Sequence, residues 1–568
     1  MLSRRPIRRR AVDPVAAAAL GGLPPILARL FAARGLRHAD ELDTALAGMA
    51  PVSSLGGVEV AAELVASHLE RGSRILVVGD FDADGATSTA LLCRALGALG
   101  GAPQYLVPDR FVHGYGLTPA LVRDAAGREP ALLVTVDSGI NCHAGVTLAR
   151  ELGMDVLVTD HHLPGARLPP ATAIVNPVLP GQSFPSRCLA GVGVAFYLVA
   201  ALARRLGHAP GLAAGLLDLV ALGTVADLVP LDRNNRILVE HGLRRIRAGA
   251  SRPGIEALLR SGQRDPRAAV TTDLAFAAGP RLNAAGRLDD MSVGIECLLT
   301  DDAARAAELA ALLSSLNEER KSIEARMQQE ALRAVAALEP AGGTLPAVLC
   351  VHQGGWHGGV VGLVASRIKD ALDRSAVVVG MGGAGSCRAV DGFDIGAAVI
   401  AAKEAGILIK GGGHTAAAGL TVDPERIGEL AAFMAERAKG FVPPPVEIDL
   451  AFECGRLDPA AVHVLEALEP YGMKNPKPRI VVHGGWARQV NVMKERHVKV
   501  ILCGPAGETE AIMWNAIGTP LGDALAESED RWVDVYGTAK VDEYGGRRRA
   551  TLMVEDAILG ASLASAAA

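Results

Sequence analysis

Three stretches of the chain set acids and histidines where they could share a cation. Asp80-Phe81-Asp82-Ala83-Asp84-Gly85 follows the apolar run RILVVG at 74–79. Asp137 follows ALLVTV at 131–136, and Asp160-His161-His162 follows VLVT at 156–159. Short, unbroken apolar runs of this kind predict buried parallel strands, whose carboxyl ends form the ligand crevice of an open sheet. Three neighbouring strands would then crowd carboxylates and imidazoles onto one edge. Uncompensated, such charges repel and shift each other's pKa values. Divalent cations relieve the conflict, and Asp with His suits manganese or magnesium in a two-metal site. Asp227, in Thr224-Val225-Ala226-Asp227, offers a further ligand.

Other readings of these residues fail on spacing. Asp80-x-Asp82-x-Asp84-Gly85 matches half of a calcium hand, but the twelfth position is Leu91 where that loop needs Glu. A single acid at a strand end is most often a helix N-cap; three beside two adjacent histidines are not explained that way. No Gly-x-x-x-x-Gly-Lys-Ser/Thr occurs, which excludes a P-loop nucleotidase, and Gly191-x-Gly193 lacks the third glycine of a dinucleotide loop.

The elements needed to hold such a site can be read around it. Helices at 87–99 and 144–152 alternate with the strands, predicting a doubly wound α/β domain over roughly 51–240. Upstream, residues 15–70 read as helices, one amphipathic stretch opened by Pro24-Pro25 and another over Val60–Glu70, and residues 1–50 are expected to form a helical arm. Residues 301–338 carry helix formers without Gly or Pro and no strict heptad, so 301–340 is expected to be a connecting helix. A second α/β lobe is expected over 341–442, then a Pro443-Pro444-Pro445 linker and a small β-barrel over 446–560. At 568 residues the chain exceeds one core, and three or four domains are expected.

Bulk properties exclude little. Apolar residues make up 50% and charged residues 21%, an ordinary globular composition. The net charge of −5 means that any nucleic-acid site must be a local basic patch. Eight cysteines never form CxxC, which argues against a zinc ribbon or disulfide framework and for reduced thiols in the cytoplasm. Arg4-Arg5 faintly suggests an export signal, but Asp13 and Pro14 break the apolar stretch it requires, and no membrane span is expected. The arginines between positions 4 and 10 read as a solvated basic arm or a frayed terminus.

Taken together, Gly79–Gly85, Val136-Asp137-Ser138-Gly139 and Asp160-His161-His162 resemble the successive motifs of the DHH phosphoesterase superfamily. Pro108-Asp109-Arg110 with Gly114-Tyr115-Gly116, Leu222–Asp227 and Gly279–Arg287 narrow the resemblance to the RecJ family. Trp356-His357 with Val360-Val361-Gly362, and Gly411-Gly412-Gly413-His414, look like that family's second, DHHA1-like lobe. The resemblance covers about 20–560 and implies two α/β lobes joined by a long helix around a cleft, plus a C-terminal OB-like barrel. Gly358 stands where such proteins usually show Pro, which predicts a looser loop.

The resemblance further implies two metal ions held by Asp82, Asp84, Asp137, His161 and Asp227, with Asp137 bridging and Asp80 completing one site. His162 would contact the scissile phosphate. Arg110, Arg281, Arg287 and Arg388 are read in loops, where forked donors grip phosphates or are merely solvated. The resemblance favours the grip for all four, and adds Ser386 as a phosphate contact. Tyr115 would stack on a base, or be a turn aromatic between two glycines. Gly412 and His414 would approach phosphate oxygens, or belong to a plain glycine-rich turn. Trp356 and His357 would line the cleft, or Trp356 would be core. Arg547-Arg548-Arg549 fit a barrel groove or an exposed hairpin flank.

The activity implied is hydrolysis of single-stranded DNA from its 5′ end to mononucleotides, in repair and recombination. A single-strand-binding protein and a helicase would be partners of a monomeric enzyme. Two other readings compete: a small-substrate phosphodiesterase of the same superfamily, and a scaffold that binds single strands without cleaving them. The chain's length and residues 446–560 argue against the first. The complete acid–histidine set argues against the second, since it is costly to keep without cations.

Overall fold

The computed structural model describes residues 5–110, 112–338, 345–544 and 547–560. It divides into two compact units: residues 43–323 with 469–476, and residues 1–42, 324–468 and 477–568.

The first unit is organised by five parallel strands in the spatial order Gln104–Leu106, Ile75–Val78, Leu132–Val136, Asp155–Thr159, Ala173–Val175. The chain enters at Ile75–Val78, steps to one side, then crosses back to Leu132–Val136, so the order reverses between these two strands. That switch point is where open α/β sheets bind ligands. The two strands are wholly buried, which is why they read as continuous apolar runs and not as alternation. Helix Ala83–Ala98 packs against helices Gly191–Arg205 and Leu217–Ala226 on one face of the sheet, while Leu121, Val122, Val146 and Ala149 cover the other.

Helix Ala303–Ala336 is continuous over 34 residues, as its Gly- and Pro-free sequence requires. In the second unit a five-stranded mixed sheet runs Leu408–His414, Ala417–Val422, Ala384–Arg388, Ser375–Val379, Val348–His352. Beyond it, strand Arg479–Met493 pairs with both His497–Gly504 and Trp532–Tyr544. With Gly507–Met513 and Arg547–Leu559 these close a five-stranded barrel, and Leu450–Glu453 adds to it in parallel. Among the described residues no single helix is long and apolar enough to cross a membrane.

The basic N-terminal arm is docked and ion-paired, although Arg8 and Arg9 remain exposed. Ile7–Arg9 forms a strand in parallel register with Val446–Ile448, and Ile7 packs beside Val481 and Tyr536. Arg5 pairs with Asp373, Arg8 with Glu447, and Arg10 and Arg34 with Asp449. The partners of these arginines lie hundreds of residues downstream, so local sequence gave no sign of them. The helices expected over 15–70 are Pro14–Ala19, Pro25–Ala33 and Val58–Glu70, the last two separated by short 3-10 turns.

Candidate metal centre

The carboxyl edge of the first sheet gathers every residue expected to hold a metal, together with Asp160 and His162. Asp82 caps helix Ala83–Ala98, its Oδ1 accepting from the Gly85 amide at 3.0 Å, so the helix start fixes where its other oxygen lies. Asp84, the second residue of that helix, is fully buried and accepts from the Gly191 and Val192 amides at 2.6 and 2.9 Å. These are free donors at the start of helix Gly191–Arg205, so a helix N-terminus holds this carboxylate. Asp137 sits at φ +58°, a strained conformation for a non-glycine residue. Thr135 helps to hold it there by donating through Oγ1 to the Ser138 carbonyl at 2.8 Å. Asp227 ends helix Leu217–Ala226.

The side chains converge closely. His161 Nε2 lies 3.0 Å from Asp137 Oδ1, 3.6 Å from Asp227 Oδ2 and 3.9 Å from Asp84 Oδ2. Three overlapping sets, Asp80–Asp82–Asp137, Asp84–His161–Asp227 and Asp137–His161–His162, each bring their ligand atoms within 4.8 Å of one another. Asp137 belongs to two of the sets, as a bridging ligand must. Asp137 Oδ1 and His161 Nε2 are both buried, and despite their proximity neither makes a hydrogen bond. Buried polar atoms are almost always satisfied. Two orphans facing each other among carboxylates fit a divalent cation.

Electrostatics agrees. Burial and the charge on Asp82 push Asp80 up to about 8 and Asp84 up to about 7. Burial and the neighbouring carboxylates hold Asp137 and Asp227 well above the usual carboxylate range. Burial, then the adjacent His162, lowers His161 to about 4, leaving it the neutral imidazole that a metal needs. Without cations the acids cannot all be ionised at neutral pH.

Asp160, whose part the sequence left open, orients the two histidines. Its Oδ1 accepts from the His161 and His162 amides at 2.7 and 3.0 Å and lies 2.8 Å from His162 Nδ1; its Oδ2 accepts from the Ile140 amide at 2.9 Å. Burial opposes ionisation of Asp160, but the bond to His162, that ring's charge and the backbone amides of His162 and Ile140 together outweigh it and keep its pKa low. Reciprocally, Asp160 raises His162 against the effect of burial. A wall of rings continues outward. His162 stands 6.0 Å from Tyr115, Tyr115 stands 6.1 Å from Phe81, and the Arg110 guanidinium lies 4.1 Å over Phe81. Arg110 Nε is buried without a hydrogen-bond partner.

In the second unit the glycine-rich run is a strand and not a turn. Gly412 pairs with Gly419, and Gly419 with Ser386; His414 pairs with Ala417, and Ala417 with Arg388. Alternation therefore puts Ser386, Arg388, Gly412 and His414 on one sheet face, opposite the core residues Cys387 and Ala418. A Cβ at Gly412 or Gly419 would meet nothing within 4 Å, so the face is open along that row. Gly362, at the start of helix Val361–Leu372, adjoins Ser386 and Arg388.

One expected phosphate contact, Arg281, needs correction, and of the two readings of Trp356 the core one holds. Arg281 lies on helix Gly279–Leu288, not in a loop, and is buried; its nitrogens donate to Ser314 Oγ, the Ala277 carbonyl and the Ser261 carbonyl at 2.8 to 3.0 Å. All three of its nitrogens are engaged in tying helices together. Trp356 is core, 2% exposed, its Nε1 donating to Glu330 at 2.7 Å. Arg287 is half-buried at the end of the same helix as Arg281. His357 accepts the Gly359 amide at 3.2 Å. Arg548 and Arg549 are exposed on the last barrel strand, and Arg549 lies 3.9 Å from Glu510; the Arg547 side chain and the Gly545-Gly546 turn lie outside the described residues.

A sheet edge crowded with aspartates, a His-His pair oriented by a third acid, and a closed C-terminal barrel define a phosphoesterase of the DHH class. Residues 74–224 match the N-terminal domain of the DHH family, 345–440 the DHHA1 domain and 448–556 the RecJ OB domain. The single-stranded-DNA-specific exonuclease RecJ of Salmonella typhimurium is 43% identical, over 98% of this chain and 99% of that protein. Its Escherichia coli counterpart is also 43% identical, over 97% and 98%. The crystal structure of RecJ from Thermus thermophilus in complex with Mn2+ aligns at a TM-score of 0.83 and 31% identity, covering 98% of this chain and 80% of that one. The corresponding Mg2+ complex aligns at 0.77 and 30% identity, covering 98% and 79%. The chain belongs to the RecJ family.

Proposed function

We infer that this protein is a metal-dependent exonuclease that hydrolyses single-stranded DNA from the 5′ end, releasing mononucleotides in DNA repair and recombination. The observation that carries the reading is the facing pair of buried, unpartnered atoms, Asp137 Oδ1 and His161 Nε2, inside a cluster of raised carboxylates. Asp80, Asp82, Asp84, Asp137, His161 and Asp227 would hold two divalent cations, manganese or magnesium. When bound, these supply the charge neutralisation and Lewis acidity for phosphodiester hydrolysis by water, so no side-chain nucleophile is needed.

The chain's own groups bind and orient the strand. His162, kept protonated longer by Asp160, would donate to a non-bridging phosphate oxygen. Tyr115, half-exposed beside it, would stack on a base, a contact tolerant of sequence. Arg110, Arg287, His357, Ser386, Arg388, Gly412 and His414 would receive phosphates, and the open row along Gly412 suits backbone approach to a 5′ phosphate. The barrel would guide the strand; Trp514 and Trp532 are each about half exposed on it. Action on DNA and eight free cysteines favour the cytoplasm. The enzyme would work as a monomer beside a single-strand-binding protein and a helicase.

The test is digestion of 5′- and 3′-labelled single-stranded and duplex DNA with Mn2+, alongside EDTA and Asp137→Ala. Mononucleotides from the 5′ end of single strands, abolished by either control, are expected. Binding without cleavage would favour the scaffold, and cleavage of dinucleotides alone would favour a small-substrate enzyme.

A further inference from the structure

Three asparagines outside the ligand set reach into it from different elements. Asn283, on helix Gly279–Leu288, accepts the Ala83 amide at 2.8 Å. Ala83 lies between Asp82 and Asp84, and its N–H is one of the free donors of the first helical turn. Asp82 caps that turn through Gly85, so Asn283 supplies the second acceptor. The two helices are held close here: a Cβ at Gly286 would lie 1.7 Å from the Phe81 carbonyl oxygen. Asn176, fully buried just past strand Ala173–Val175, donates through Nδ2 to the His162 carbonyl at 2.9 Å and accepts the Val178 amide at 2.9 Å. Asn235, also fully buried, donates through Nδ2 to the carbonyls of Cys188 at 2.6 Å and Pro230 at 2.9 Å. It thereby ties the segment after Asp227 to the segment leading into Gly191 and Val192, whose amides hold Asp84.

We propose that Asn176, Asn235 and Asn283 are positioning residues that fix three of the four ligand-bearing segments, and so set divalent-cation affinity without touching cation or DNA. The proposal rests on the metal-centre reading above. The residue type has a physical reason. Each site calls for a short side chain that reaches the backbone, as an acceptor at 283 and as a donor to carbonyls at 176 and 235. Outer partners of ligands act this way generally, and their loss weakens metal binding about 10- to 100-fold.

The hydrogen-bond roles make the proposal specific. Asn283 is used as an acceptor, whereas Asn176 and Asn235 are used as donors to carbonyls. Aspartate therefore preserves the bond at 283 and destroys it at 176 and 235, where it would oppose a carbonyl oxygen. Mn2+ binding to the full-length protein is measured by calorimetry for the wild type and for leucine and aspartate variants at each position. Circular dichroism reports folding, and kcat and KM are measured on single-stranded DNA. The leucine variants should bind Mn2+ about tenfold or more weakly, with kcat at fixed Mn2+ reduced and KM for DNA unchanged. Asn283→Asp should recover binding that Asn283→Leu loses, and Asn176→Asp and Asn235→Asp should not. Folded leucine variants with wild-type Mn2+ affinity would overturn the proposal, as would aspartate acting alike at all three positions. Should a leucine variant fail to fold, the aspartate series decides alone. Failure of the wild type to bind Mn2+ would instead overturn the metal-centre reading.

Discussion

Adding one methyl group at Gly191 tests how tightly the centre is built. A Cβ there would stand 2.6 Å from Asp137 Cβ and 2.9 Å from Asp137 Cα. Ordinary carbon contacts begin near 3.5 Å, so about 1 Å must be found. The neighbour cannot simply rotate away, because the contact is with the backbone of a residue already strained at φ +58°. Either Asp137 moves, or the start of helix Gly191–Arg205 moves and takes with it the amides that hold Asp84. Overpacking of this kind costs about 1–3 kcal/mol, and a 1 Å misplacement in a catalytic site costs about 10²-fold in rate. Gly191→Ala should therefore lower Mn2+-dependent kcat about a hundredfold and Tm by several degrees. Gly211→Ala serves as the control, since a Cβ there meets nothing within 4 Å. Wild-type kcat in a folded Gly191→Ala protein would refute the argument that this approach fixes the bridging ligand.

Metal-free protein should lose stability as pH rises. Asp80 and Asp84 have folded pKa values above their unfolded ones, so their contribution is complete below about pH 4 and lost as pH passes about 7 and 8. The Tm difference between Mn2+-loaded and EDTA-treated protein should thus widen between about pH 4 and about pH 8, and a constant difference would contradict the shifts. His161→Gln should abolish Mn2+ binding, whereas His162→Gln should keep it and lower kcat about 10²- to 10³-fold, as measured by calorimetry and turnover. Arg281→Leu should cost about 2–4 kcal/mol in denaturant unfolding, for three lost hydrogen bonds, without raising KM. Arg388→Ala should do the reverse, raising KM for 5′-phosphorylated single strands about tenfold with little change in Tm.

The ligand loops could be read from the chain because each sits where a buried apolar strand stops, and a fully covered parallel strand leaves an unbroken hydrophobic run ending at its acid. The long helix was legible for a similar reason: 34 residues without Gly or Pro admit little else. What escaped was pairing at a distance. Nothing near Gly191 says that its amide meets Asp84, and its Gly-x-Gly spacing pointed only to a poor dinucleotide loop. Arg281 and Trp356 have the side chains of a phosphate grip and a cleft wall, but hydrogen bonds to Ser314, Ala277 and Ser261, and to Glu330, draw them inside. The ion pairs of Arg5, Arg8 and Arg10 could not be read from the sequence because Asp373, Glu447 and Asp449 are remote in it. Asn176, Asn235 and Asn283 went unnoticed because a buried asparagine bonding backbone carries no local pattern at all.

The central claim is that this sheet edge holds two divalent cations that share Asp137. Anomalous diffraction from crystals grown with Mn2+ tests it most directly. Two peaks are expected, one among Asp80, Asp82 and Asp137 and the other beside Asp84, His161 and Asp227, with both lost or weakened in Asp137→Ala. No peak at this edge, or full occupancy of both positions in the Asp137→Ala protein, would contradict it.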